Sequence, residues 1–162
     1  MGAIAAKARA LAFVRTPAFR RIAHAIVANA QAMAAELTRL GHRLVTGGTD
    51  NHMILVDLRA RGVTGAAAQD ALERCGIVVN KNLVPADELP SSQTSGLRIG
   101  TNSIAFRGMG TAEAVRCAQL VDDVLQPLIR TGSLPTSVER QIRTQVRDLC
   151  AAYPVDPSWP AQ

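Results

Sequence analysis

The sequence predicts an α+β fold: a long N-terminal helix, then a small, mostly antiparallel sheet packed against helices. Three observations predict it. Residues 17–40 carry Ile22, Ile26, Met33, Leu37 and Leu40 on a mostly apolar stripe at helical spacing. Met53-Ile-Leu-Val-Asp-Leu58 is a short apolar run of strand length. Thr94-Ser-Gly-Leu-Arg-Ile-Gly-Thr101 alternates, so Leu97 and Ile99 point to one face of a strand and Arg98 to the other. At 162 residues, with 48% hydrophobic and 19% charged content, the chain is long enough to bury one core. It divides into an N-terminal helical docking segment (1–41), an α+β small domain (42–152) and an extended proline-rich tail (153–162).

The elements follow in order. Residues 3–14 are alanine-rich and helix-prone. Thr16-Pro17 gives an N-cap followed by proline at the first helical position, and the helix stops at Gly41. Its apolar stripe is longer than a three-stranded sheet needs, which implies that another protein lies on it. Residues 42–46 read as a short strand and Gly47-Gly48 as a turn. Thr64 caps a helix running to Gly76, and Ile77-Val-Val79 begins the next strand. Residues 81–95 form a long loop holding Pro85 and Pro90, of a length usually tied to function or mobility. Thr111 caps a helix to about Arg130, with Val115, Leu120, Val124 and Leu125 on its buried side. Thr136-Ser-Val-Glu139 reads as a capping box opening the last helix, which ends near Ala151.

Composition narrows the function classes. Aromatics are only 3%, so the core is built from Ala, Val, Leu and Ile. Cys75, Cys117 and Cys150 lack paired metal spacing and read as three reduced thiols, with no zinc. The net charge of +5 comes almost wholly from arginine; Lys7, Arg9, Arg15, Arg20 and Arg21 all precede the first acid, Glu36. Without aromatics for base stacking or a recognisable motif, this basic segment does not indicate nucleic acid and suits docking on an acidic protein. No run reaches transmembrane length and no secretory signal is seen, so the expectation is a cytoplasmic protein with no membrane partner.

A guanidinium on a rigid strand is a planar fork for a carboxylate or phosphate. Gly96 and Gly100 beside Arg98 permit sharp turning or close approach of another chain. Taken with Gly47-Gly-Thr-Asp-Asn-His52, Val79-Asn-Lys-Asn82 and Arg107-Gly108, this strand resembles the C-terminal small domain of serine hydroxymethyltransferase. The resemblance runs from Ile4-Ala-Ala-Lys7 to Cys150-Ala-Ala-Tyr-Pro154. It implies the small domain of the aspartate-aminotransferase-like fold type I and a pyridoxal-phosphate enzyme.

By that resemblance Arg98 binds the carboxylate of the amino-acid substrate, with Arg107, Thr94 and Ser95 supporting it. Asn82 and Ser92 fall on the acceptor, or folate, side of the pocket. Asp50, Asn51 and His52 are structural; a lone histidine opening a buried strand reads as a satisfied hydrogen-bonding group. Two departures stand out: Ser92 replaces an aromatic of the family's loop, and Thr101-Asn-Ser103 replaces Thr-Pro-Ala. Both lie on the side where the family binds tetrahydrofolate, so a folate-independent transaldolase is an open alternative to a hydroxymethyltransferase.

The family's Schiff-base lysine is missing. Lys7 and Lys81 are the only lysines, and neither stands in the family's Thr-Thr-His-Lys setting. No catalytic residue is therefore expected on this chain, and pyridoxal phosphate would be held mainly by a partner. The expectation is a small-domain subunit of a split enzyme, acting on glycine, serine or threonine-type amino acids. Its partner is a large-domain subunit, in a hetero-oligomer of two plus two or larger. The alternative is a non-catalytic amino-acid-binding or regulatory module that kept only the fold.

Overall fold

The computed structural model describes residues 2–155. Helix α1 (Gly2–Val14) leads through Thr16 into helix α2 (Pro17–Arg39). Thr16 is extended, and its Oγ1 accepts from the N–H of Phe19 at 3.2 Å, so the predicted cap and the proline after it start the helix. Gly41 ends it at φ +85°. The N–H groups of Gly41 and His42 return to the carbonyls of Thr38 and Leu37, both at 2.9 Å. That is a Schellman closure, which needs a residue free to turn left-handed.

Four strands follow, β1 (Arg43–Leu44), β2 (Met53–Asp57), β3 (Asn80–Asn82) and β4 (Gly96–Gly100). They form one sheet in the order β1-β2-β4-β3 with every pair antiparallel. Helix α3 (Gly65–Arg74) joins β2 to β3, entered through the predicted cap Thr64, whose Oγ1 accepts from Ala67 at 3.1 Å. After β4 come a short helix α4 (Asn102–Phe106), α5 (Thr111–Thr131) and α6 (Thr136–Ala152).

Several local expectations shift, each for a physical reason. The strand expected from Ile77 starts at Asn80, because the N–H of Ile77 is used by α3: it donates to Leu72 at 2.9 Å while Gly76 turns left-handed. Val78 is left 86% exposed. The strand expected over 42–46 contracts to two paired residues. The cap of α5 is Gly110 rather than Thr111, and the Glu113 carboxylate accepts the Gly110 N–H at 2.8 Å. At α6 the cap position falls on extended Pro135, whose carbonyl accepts from Glu139 at 2.9 Å. Thr136 is already helical, so the predicted capping box does not form. Of the tail, only Tyr153, Pro154 and Val155 fall within the described residues.

The core lies between the sheet and α2, α3 and α5. Leu37, Ile54, Val56, Leu58, Leu72, Leu97, Val121, Val124 and Leu125 are all essentially inaccessible. α2 packs most extensively on α5, and α4 also lies against it, so Met33 and Leu37 of its stripe are covered within this chain while Ile22, Ile26 and Leu40 stay part-exposed. The sheet itself has four strands rather than three. α1 is more open still: it has no buried residue, meets the rest of the chain through α2, and leaves Ile4 and Leu11 about two-thirds exposed, at 69% and 66%.

This contrast is testable by truncation. Leu37→Ala should cost about 2–5 kcal/mol by opening a cavity under the sheet. Leu11→Ala should change stability by less than ~0.5 kcal/mol. Urea unfolding of both variants against the parent chain measures the difference.

Candidate functional site

One face of the sheet is buried under helices and the other is open. In β4 the pattern is the predicted one: Leu97 and Ile99 are buried while Arg98 is exposed. Arg98 stands between Leu55 of β2 and Asn80 of β3 in register. Its face borders a cleft of about 680 Å³, walled by the 46–51 turn and by Met53, Leu55, Asn82 and Arg98. Among the described residues the Arg98 side chain makes no hydrogen bond or ion pair. It is a fork with open donors at the wall of a concave surface.

The turn that forms the opposite wall is self-supporting. Thr49 Oγ1 donates to the Met53 carbonyl at 2.6 Å, and Asn51 Oδ1 accepts from the Met53 N–H at 2.8 Å. Asn51 Nδ2 reaches Asp50 Oδ1 at 3.3 Å. Asp50 and Asn51 thus shape the turn and line the cleft together. His52 departs from its expected form. Its imidazole is exposed, and its contribution to the fold is its backbone carbonyl, which accepts from the Thr101 N–H at 3.1 Å. A strand whose first residues lie at the sheet's rim leaves such a side chain in water.

Asn82 shares the cleft with Arg98, its Nδ2 donating to the Leu83 carbonyl at 2.7 Å. Ser92 lies exposed on the turn before β4 and lines no part of the cleft. Thr94 is buried with a positive φ of 54°; its N–H reaches Pro90, and its carbonyl accepts from Gly65 at the start of α3, each at 2.9 Å. Arg107 is also placed outside the cleft. Its Nη1 donates to the carbonyls of Tyr153 at 2.8 Å and Cys150 at 3.3 Å, tying α4 to the end of α6.

Ser95 is buried and committed to Asp87, a residue that sequence reasoning passed over. The Asp87 carboxylate accepts four hydrogen bonds: from the N–H groups of Val84, Leu89 and Ser95 at 3.1, 3.0 and 2.8 Å, and from Ser95 Oγ at 2.7 Å. Burial alone would raise its pKa; the bonds from Ser95, Leu89 and Val84 outweigh that and hold it at about 2. This knot folds residues 83–95 back onto the start of β4. A second clamp adjoins it. Arg59 forks onto the buried Asp57 at 2.7–3.3 Å and reaches the Pro85 carbonyl at 3.4 Å. The Arg59 bonds lower the Asp57 pKa against the opposing effect of burial. The cue in the sequence was an aspartate following Pro85 in a loop, a residue type that bonds to nearby backbone N–H groups.

Gly96 is where these pieces converge. A Cβ there would meet Val84 Cγ1 at 2.7 Å and the Asn82 carbonyl at 2.8 Å. Gly96→Ala should therefore cost about 1–3 kcal/mol in thermal or urea unfolding. Asp87 gives a pH signature. Its carboxyl is depressed in the folded chain, so its contribution is complete above the ordinary pKa of about 3.9 and disappears as pH falls toward about 2. Melting temperature should drop between pH 4 and pH 2 more steeply for the parent chain than for Asp87→Asn, which should also melt lower at pH 7. Equal acid slopes would remove Asp87 from this role.

The chain matches the family model of serine hydroxymethyltransferase over residues 1–121. It is 47% identical over 158 residues to the serine hydroxymethyltransferase of Zymomonas mobilis, covering 97% of this chain and 37% of that protein. The enzyme of the same name from Phenylobacterium zucineum is 43% identical, covering 96% and 36%, and that from Rhodospirillum centenum 42%, covering 98% and 37%. The chain thus spans little more than a third of the length of the curated relatives it matches. With the open arginine strand, the self-bonded turn and this matching sequence, the chain belongs to the serine hydroxymethyltransferase family.

Proposed function

We propose that this chain supplies the amino-acid-binding half of a pyridoxal-phosphate aldol enzyme, the cofactor half being a separate large-domain subunit. The open, unpaired Arg98 at the wall of the cleft supports this reading most directly. A planar bidentate donor on a rigid strand fixes both oxygens of a carboxylate, and so fixes the rotation of the amino acid about its Cα. Asn82, on the same cleft, offers an amide to the aldehyde or one-carbon acceptor. Arg107 acts at one remove, by holding the end of α6 against α4.

The residues present do not fit the cofactor itself. The cleft is lined by neither a lysine nor an aromatic ring. Lys7 lies exposed on α1, and Lys81 on β3 is outside the cleft lining. No step is therefore assigned to pyridoxal phosphate on this chain. What it contributes is carboxylate capture, acceptor positioning and a docking face. α1, with its exposed Ile4, Leu11 and Val14 and the basic run from Lys7 to Arg21, suits an acidic surface with an apolar centre. The complex would carry out aldol or retro-aldol transfer on glycine, serine or threonine-type amino acids in the cytoplasm. A hetero-oligomer of two plus two subunits or more is the assembly proposed. The absence of an aromatic at Ser92 favours an aldehyde acceptor over tetrahydrofolate.

The test is co-expression with a family large-domain polypeptide and purification through a tag on this chain. A yellow complex that cleaves serine or a threonine-like amino acid is the expected product. In that complex Arg98→Lys should lower kcat/KM about 100-fold while leaving assembly and colour intact. An active complex indifferent to that change would refute the role of Arg98. A solitary, colourless chain that binds glycine by itself would make it a stand-alone binding module.

A further inference from the structure

Helices α5 and α6 form an antiparallel hairpin whose facing residues are identified by two side-chain bonds. Tyr153 donates its hydroxyl to Glu113 Oε1 at 2.8 Å, and Arg116 Nη2 donates to Gln145 Oε1, also at 2.8 Å. Residues one turn along each helix from a bonded pair face each other in turn. One turn forward of Glu113 on α5 is Cys117; one turn back from Tyr153 on α6 is Cys150. Cys150 lies between Gln145 and Tyr153 on α6, Cys117 directly follows Arg116 on α5, and both are free and half-buried. Packed helices at an axial separation of about 8–10 Å can bring facing Cα atoms within the roughly 4.4–6.8 Å that a disulfide spans.

We propose that Cys117 and Cys150 are a reversible thiol–disulfide pair, a modification site at which a low-molecular-weight disulfide staples α6 onto α5. The inference is independent of the function proposed above. In the first exchange the Cys150 thiol loses its proton, attacks one sulfur of the small disulfide and releases one small thiol. Cys117 then loses its proton and attacks the Cys150 sulfur, releasing the second. The protein gives up two protons and two electrons, and the small disulfide is reduced to two thiols. Burial, with Cys150 beside it, pushes the Cys117 thiol up to about 11, so its thiolate is scarce and it reacts second, where the nearness of the Cys150 sulfur offsets the slower attack. Cys75 is fully buried and lies near Glu139 and Arg143, toward the other end of α6, so it is excluded from the pair. The consequence reaches Arg107, which donates to the carbonyls of Cys150 and Tyr153. Oxidation would lock the helix end on which that arginine rests.

The experiment is incubation of the purified chain with oxidised glutathione, followed by peptide mapping without reduction. The expected result is a peptide joining Cys117 to Cys150, lighter than its two thiol halves by two hydrogens, with Cys75 alkylated only after denaturation. The melting temperature should rise by roughly 5–10 °C and return with dithiothreitol. Cys117→Ser, checked for folding by its reduced melt, should stop at a glutathione adduct on Cys150. Separate glutathione adducts on Cys117 and Cys150 of the parent chain with no joined peptide, or a joined peptide with unchanged melting, would overturn the proposal.

Discussion

The close approach of backbone at Gly96 is the constraint on which the rest depends. Asn82 of β3 and Asp57 of β2 are its register partners on either side, and Val84 packs over it. Because no side chain intervenes, β2, β3 and the loop that precedes β4 can close around one point. Gly65 is under a similar restriction, since a Cβ there would meet the Gly96 carbonyl at 2.5 Å. α3 is thereby seated directly against the strand that carries Arg98. The arginine's orientation follows from this backbone contact, two residues away, rather than from any bond of its own side chain.

Around that point the molecule separates its polar groups into two kinds. Asp57 and Asp87 are saturated by arginine or backbone donors and serve to hold the loop. Arg98 and Asn82 border the cleft, the arginine with its side-chain donors unbonded and the asparagine with its Nδ2 donating to the Leu83 carbonyl. The surface is thus anchored at the first kind and open at the second.

Much of this was legible in the sequence wherever a local rule decides the outcome. Thr16-Pro17 and Gly41 delimit α2 because caps act over a few residues. The Leu97–Arg98–Ile99 alternation fixes which face the arginine takes. The remainder depended on contacts that no cap or alternation specifies. The loop position of Asp87 signals bonds to its near neighbours Val84 and Leu89, but nothing local reveals that it will also reach Ser95, or that α5 will cover Met33 and Leu37 of the stripe on α2. Nor could the Ile77–Val79 run disclose that its first N–H closes α3, which moves the strand to the polar Asn80–Asn82. Ser95 and Arg107 illustrate the same point: their types suggest ligand contact, while their partners are protein atoms.

The exposure of α1 has an energetic meaning. A helix of 13 residues lies near the length at which helix formation in water is marginal, and α1 buries none of its side chains within this chain. Its tertiary contacts are confined to its junction with α2, where Phe13 meets Phe19 edge-on, so the amides of its first turns should exchange with solvent through fraying, on a scale separate from the core. Any surface that covers it would gain the apolar contacts but must also bear the entropy of fixing it. Association through α1 would then register as coupled ordering, with a heat-capacity change larger than a rigid docking of the same area.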